Sequence, residues 1–204
     1  MSIKFEPVKR VVFADIPYNL PERKTQGAAA YDLEAIEDII IPPKNDILRS
    51  IKLKVESLLF KTGMHNIVDL MFGEYSEHKA ITDKAFTLEE VAEITKGNRP
   101  TIVRTGMKVK IPEDMVCVVV PRSSSSVKYW LKMSNSIGII DSDYYNSKDN
   151  DGEIGLIFEN DLPFPIQIKK GDIIGQALIL PRHIVDDEKE IENVRNGGYG
   201  STTK

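Results

Sequence analysis

The residues best placed to do chemistry stand in one short stretch, Asn135-Ser136-Ile137-Gly138-Ile139-Ile140-Asp141-Ser142-Asp143-Tyr144. Ile137, Ile139 and Ile140 are β-branched, and Gly138 admits another group close to the backbone, so the middle of the stretch predicts a strand. Such a strand delivers the Asp141 carboxylate to its end, where it can face a ligand instead of solvent. An Asp after a strand is, taken alone, an ordinary turn residue. Two other segments set this one apart. Pro121-Arg122-Ser123-Ser124-Ser125-Ser126 precedes it, and Gly197-Gly198-Tyr199-Gly200-Ser201-Thr202 lies near the end of the sequence. Both have the composition of loops that cradle anions with backbone N–H groups and hydroxyls.

Each cradle has a plainer reading beside it. Four serines in a row also suit a flexible linker. However, the apolar run Val116-Cys117-Val118-Val119-Val120 leads straight into them, and Val127-Lys128-Tyr129-Trp130-Leu131 follows, which suggests a strand, a turn and the start of a helix. The glycine-rich segment suits a disordered terminus. Equally, its aromatic residue can lie flat over a planar ring while the glycine N–H groups wrap phosphates, with Arg195 adding charge-assisted bonds.

The elements that must position these residues read mostly as short strands. Ile3, Phe5 and Val8, then Val11-Val12-Phe13, predict an opening strand or two. A loop carries Pro17, Pro21 and residues 22–27. Ala28-Ala29-Ala30-Tyr31-Asp32-Leu33-Glu34-Ala35 is helical by propensity, or else a tightly packed strand whose small residues admit a neighbouring backbone. Ile39-Ile40-Ile41 is a strand stopped by Pro42-Pro43. From Thr101 the alternation resumes over 101–104, 107–111, 115–120, 156–158, 166–168 and 173–180. Many short strands with turn signals every ten or so residues predict a mainly β fold, a barrel or jelly roll.

Residues 44–98 depart from that pattern. Ile47, Leu48, Ile51, Val55, Leu58 and Leu59 share one helical face, and Ile67, Val68, Leu70, Met71 and Phe72 form a second apolar cluster. Thr87-Leu88-Glu89-Glu90 matches a capping box flanked by Phe86 and Val91 as a hydrophobic staple, and Gly97 suits a helix C-terminus. Eight basic and nine acidic residues nearly cancel here. The segment is expected to be a helical insert, a packing accessory or a module for a protein partner. His65 and His78 lack a spaced Cys or His partner, so no metal site is read there. The expected organisation is a β-barrel core over 1–43 and 99–182, the insert over 44–98, and a C-terminal arm over 183–204.

The chain has 204 residues, 41% of them hydrophobic and 28% charged, as in ordinary globular proteins. A net charge of −4 without a basic tract argues against stable nucleic-acid binding. No apolar run approaches transmembrane length and the N-terminal residues lack the apolar core of a signal peptide. The single cysteine, Cys117, falls in a buried-strand pattern and reads as a structural thiol. A reducing, cytoplasmic setting is expected.

Taken together, the motifs resemble those of the trimeric dUTPase family, and they occur in that family's order. Ala29 to Leu33 resembles the first motif, and Pro121 to Ser124 the second. Asn135 to Tyr144, continued by Gly152-Glu153-Ile154, resembles the third. Gly171-Asp172-Ile173-Ile174-Gly175-Gln176 resembles the fourth and Gly197 to Thr202 the fifth. The resemblance spans residues 3–43 and 99–204, and the insert is like those of some phage-type members. It implies a distorted jelly-roll β-barrel, with the alanine run as strand, and hydrolysis of dUTP to dUMP and pyrophosphate, which limits uracil incorporation into DNA. Asp141 would be the general base that activates the water attacking the α-phosphorus. Tyr144 would lie against the deoxyribose and exclude a 2′-hydroxyl. Asn135, with backbone near Gly138 and Ile140, would read the uracil edge. Ser123, Ser124 and Gln176 would hold phosphates with Arg122 bracing the site. Gly198, Tyr199, Gly200 and Ser201, with Arg195, would close over the bound nucleotide. Asp32 would order Mg2+ on the triphosphate through water. The resemblance also implies a homotrimer with shared active sites.

The chain departs from the family pattern at a few points. Tyr145-Asn146-Ser147-Lys148-Asp149-Asn150-Asp151 stands where the family often has one residue, and is expected to be a longer surface loop. Ser124 and Thr203 replace glycines, and Arg195 is one residue nearer the glycines than usual. Two rival functions share some of these features. A dCTP deaminase or bifunctional relative has the same fold and an Arg-Ser-Ser turn, but lacks the Asp–Tyr pairing and the glycine-aromatic tail. A nucleotide-binding regulatory protein acting through the insert is the second.

Overall fold

Strand β6 (Met115–Pro121) is the spine of the sheet that carries most of the candidate residues. Its alternation buries Cys117 and Val119 completely or nearly so, while Val118 and Val120 between them stay half-buried. In this computed structural model the chain is described over residues 2–43, 99–162 and 164–189. The insert readings fall outside the described residues: the helical face from Ile47 to Leu59, the apolar cluster from Ile67 to Phe72, the capping box at Thr87, and His65 and His78. So do Arg195, Gly198, Tyr199, Gly200 and Ser201. By its internal contacts the chain divides into two units, one of Met1–Pro42, Pro100–Asp161 and Pro165–Lys204, the other of Pro43–Arg99 and Leu162–Phe164.

The first unit is built almost wholly from antiparallel strands. The remaining strands are β1 (Lys4–Pro7), β2 (Tyr31–Glu34), β3 (Ile39–Ile41), β4 (Thr101–Arg104), β5 (Met107–Lys110), β7 (Leu131–Met133), β8 (Gly138–Ile140), β9 (Gly155–Asn160), β10 (Ile166–Ile168) and β11 (Ile173–Pro181). One sheet runs β2-β11-β6-β8, another β4-β9-β7, and β1-β5 and β10-β3 form two-stranded ribbons. These are the faces of a distorted jelly-roll β-barrel, as the turn spacing predicts. Inward residues from all of them meet in one core that includes Leu33, Ile41, Val103, Val109, Cys117, Leu156, Phe158 and Ala177. Each fully buried large side chain, such as Leu156 or Phe158, contributes about 2 kcal/mol through the apolar surface it removes from water. No helix of the described residues is long and apolar enough to cross a membrane.

Two local expectations change. Val11-Val12-Phe13 is not a second opening strand but part of a short helix, α1 (Lys9–Phe13). A helical turn puts Val8 and Val11 on one side, and both are buried against Ile36. A strand would have turned Val11 and Phe13 to the same face, whereas Phe13 is 82% exposed. The alanine run resolves as strand only over Tyr31–Glu34, with Ala28 and Ala29 outside any element. Pairing with β11 decides it, since Asp32 and Leu33 are buried by that sheet against the helical propensity of the alanines.

Candidate active site

Three of the candidate residues converge where β2, β11 and the end of β6 meet. Register sets Gln176 opposite Asp32 on one side and Val120 on the other, so Gln176 faces the end of β6. Gln176 Nε2 donates to Asp32 Oδ1 at 2.9 Å. Arg122 Nε lies 3.9 Å from the same oxygen, a charge contact too long for a hydrogen bond. Gly175, just before Gln176, must be glycine because an added Cβ would sit 2.3 Å from Leu156 Cδ2 and 3.0 Å from the Val120 carbonyl. That close approach is what lets β11 pack tightly enough to bring Gln176 over Asp32.

Beyond Arg122 the chain turns into helix α2 (Ser123–Tyr129). The serines are therefore the opening turn of a helix and not a linker. Ser125 is buried and its N–H donates to the Arg122 carbonyl at 3.0 Å, while Ser123 is exposed and Ser124 half-buried. Arg122, Ser124 and Ser125 line a cavity that continues along Ile166, Gly171 and Asp172.

The other candidates gather around β8. A tight turn with Ser136 in the left-handed region (φ 60) joins β7 to β8 and leaves Asn135 exposed. The Asn135 Nδ2 amide lies 4.0 Å from where a Gly138 Cβ would be, so the amide and the bare glycine backbone form one patch. Ile140 pairs with Cys117 of β6. Asp141 follows at the strand's end, half-buried, and its carbonyl accepts the Tyr144 N–H at 3.1 Å to open the 3-10 turn Ser142–Tyr144. Asp141 lines a pocket with Glu113, Ser142, Asp143 and Arg182. Tyr144 is 4% exposed.

Asp141 and the Arg122–Asp32–Gln176 cluster lie at opposite ends of β6, whereas Gly138, paired with Val119, lies nearer Arg122. Because Ile140 sits beside Cys117, Asp141 falls beside Val116, while Arg122 begins six residues further along. At the usual strand rise that separates Asp141 from the Arg122–Asp32–Gln176 cluster by roughly 20 Å within one chain.

Side chains whose role has no sequence pattern brace the second group. Glu153 is 2% exposed and receives Arg10 Nε at 3.0 Å, Arg10 Nη2 at 2.5 Å, Arg104 Nη1 at 2.8 Å and the Gly106 N–H at 3.0 Å. The Gly-Glu pair flagged Glu153, but Arg10 lies 143 residues from it in sequence, and no local pattern ties the two. The Cys117 thiol behaves as read: it is fully buried, and burial pushes it up to about 12, far from the range of a nucleophile.

A Mg2+ bound to a triphosphate needs few protein ligands, and Asp32 fits that part. Its Oδ2 is buried without a hydrogen-bond partner while Oδ1 is held by Gln176. Among the described residues no three His, Cys, Asp or Glu side chains form a cage. A single oriented carboxylate suits a cation that keeps its waters and takes phosphate oxygens.

Residues 86–203, more than half of the chain, match the family model described as dUTPase. The deoxyuridine 5′-triphosphate nucleotidohydrolase of Lactococcus lactis is 27% identical over 199 residues, covering 97% of this chain and 95% of that protein. That alignment takes in most of residues 44–98. Among solved structures, a dUTPase from Streptococcus mutans aligns with a TM-score of 0.58 at 22% identity, covering 90% of this chain and 98% of that one. A dUTPase from phage phi11 of S. aureus aligns with a TM-score of 0.53 at 16% identity over 95% of this chain, covering 98% of that one in a structure that details a structural Mg(II) ion and 97% in one that visualises a species-specific insert.

Proposed function

The chain belongs to the dUTPase family, and we propose that it hydrolyses dUTP to dUMP and pyrophosphate at sites assembled from separate copies of itself. The observation that carries the reading is the division of the candidate residues into two groups. Gln176 and Arg122 converge on the buried Asp32 at one end of β6, and Asp141, Asn135 and Tyr144 gather along β8. Each group alone is half a site. One offers donors and a carboxylate for a metal-bound triphosphate. The other offers a base, an amide for the uracil edge and an aromatic wall for the sugar.

Asp141 takes a proton from the water that attacks the α-phosphorus, and its place at the end of β8 supports that role. Asn135 and the backbone of Gly138 and Ile140 read the uracil edge. Tyr144 stands against the 2′-carbon of the sugar. Arg122, Ser123, Ser124 and Gln176 hold the phosphates. Gly198, Tyr199, Gly200 and Ser201, with Arg195, close over the nucleotide, which the family match through residue 203 supports. Asp32 would hold Mg2+ on the triphosphate, and the ion would neutralise charge on the phosphates. A separation of roughly 20 Å exceeds the length of a nucleotide's reacting portion, which supports a homotrimer with shared sites. The buried lone Cys117 supports a cytoplasmic setting.

The test is release of pyrophosphate and of ammonia from dUTP, from each of the four standard dNTPs and from UTP. Pyrophosphate from dUTP alone is expected. Ammonia from dCTP would favour the deaminase reading, and binding without release of either product would favour a regulatory protein.

A further inference from the structure

The loop Tyr145–Asp151 is longer than the family's usual connection, and its contacts run inward. Lys108, itself 5% exposed, reaches Asn146 Oδ1 at 2.5 Å and Asp151 Oδ2 at 3.0 Å. The Lys9 N–H also donates to Asp151 Oδ2, at 2.8 Å. The loop is therefore pinned at both ends to β5 and to the start of α1.

Asn150, near the loop's C-terminal end, binds in three directions. Its Oδ1 accepts the Ser147 hydroxyl at 2.8 Å and the Gly152 N–H at 3.1 Å. Its Nδ2 donates to the Tyr144 hydroxyl at 2.5 Å, and that hydroxyl donates to the Glu153 carbonyl at 3.0 Å. The Tyr144 oxygen is thus held as donor and acceptor at once, which fixes the ring in position as well as orientation. Gly152 is in the left-handed region (φ +78), and an added Cβ would sit 2.5 Å from the Tyr144 carbonyl. Only glycine lets the loop fold back so closely. The Glu153 side of the clamp is itself anchored by Arg10 and Arg104.

We propose that Asn150 is a positioning residue that sets the preference for dUTP over UTP by holding Tyr144 rigid against the ribose 2′-hydroxyl. The inference rests on the reading of Tyr144 as the wall beside the sugar. A wall excludes a hydroxyl only as far as it cannot yield. Removing the amide donor frees Tyr144 to shift, so UTP gains while dUTP, which needs no extra room, changes little.

The test compares kcat and KM for dUTP and UTP in the wild type, Asn150→Ala, Tyr144→Phe, the double variant and Tyr144→Ala, with Tm recorded for each. Asn150→Ala is expected to lower the dUTP/UTP ratio of kcat/KM about tenfold, mostly through better use of UTP. In the Tyr144→Phe background the same change should add nothing, because the bond it removes is already gone. An equal effect in both backgrounds would show that Asn150 only supports the loop, and overturns the proposal. So would an unchanged ratio in Asn150→Ala when Tyr144→Ala collapses it. If Tyr144→Ala itself leaves the ratio intact, the wall reading fails and the inference falls with it. Should Asn150→Ala not fold, Asn150→Asp keeps the oxygens for Ser147 and Gly152 and removes only the amide donor.

Discussion

Asp141 differs from its acidic neighbours in where the backbone leaves it. Asp143 is exposed within the 3-10 turn, whereas Asp141 ends β8 half-buried and lines a pocket. Replacing it by Asn keeps the size and the backbone hydrogen bond but removes the proton acceptor. Asp141→Asn is predicted to bind dUTP with Kd within a few-fold of wild type while turnover falls by about a thousandfold. Isothermal titration paired with pyrophosphate release measures both, and undiminished turnover would exclude Asp141 as the base. At this scale the sequence was readable for placement, with Asp141 at the end of β8 and Gln176 within β11 as the strand pattern predicts. It was silent on Asn150 and on the Arg10–Glu153–Arg104 clamp. The clamp depends on chain reversals that bring residues 49 to 143 positions apart together, and Asn150, a polar residue in a loop, carries no periodic signal.

Among the elements, the strands were legible because alternation and turn residues agree along β4, β5, β6, β9 and β11. Helix α1 was not, because Val11-Val12-Phe13 has strand propensity and only the tertiary pairing of Val8 with Val11 and Ile36 selects a helical turn. The loop Tyr145–Asp151 was legible as an insertion in length but not as a brace, since its acids read as solvated charge. Asp151 shows the difference. Burial pushes its pKa up, but the Lys9 amide and the Lys108 ammonium outweigh burial and hold the carboxyl below its ordinary value of 3.8. A carboxyl with a depressed folded pKa contributes stability above its unfolded pKa and loses that contribution as pH falls through the folded value. Asp151→Asn also takes a carboxylate partner from the nearly buried Lys108, leaving it the Asn146 carbonyl, so it is predicted to cost about 2 kcal/mol at pH 7. The gap to wild type should narrow as pH falls below 3.8, the ordinary value. Thermal melts of both proteins from pH 7 to pH 3 measure it, and a gap that stays constant would mean Asp151 is not charged and paired in the folded protein.

For the whole molecule, the hydrophobic period changes at residues 44 and 98, and the described residues show where the two flanks of that segment meet the barrel. Asn160 Nδ2 donates to the Ile41 carbonyl at 3.2 Å, and Thr101 pairs with Phe158. Both flanks of the insert therefore meet β9 within two residues of each other. A short Gly-Ser turn in place of 44–98 is predicted to leave a folded trimer that still hydrolyses dUTP. Size-exclusion mass with the pyrophosphate assay checks this: a soluble trimer without activity would assign part of the site to the insert.

On the proposed reading no single chain holds a complete site, because β6 keeps Asp141 apart from the Arg122–Asp32–Gln176 cluster. The most direct measurement is complementation between an Asp141→Asn chain and an Arg122→Ala/Gln176→Ala chain, each expected to be inactive alone, co-refolded in equal amounts. In random mixed trimers a site is whole only when one half comes from each kind of chain, so dUTP hydrolysis should return to about a quarter of the wild-type rate. Mixed trimers that form yet remain inactive would contradict a site shared between copies.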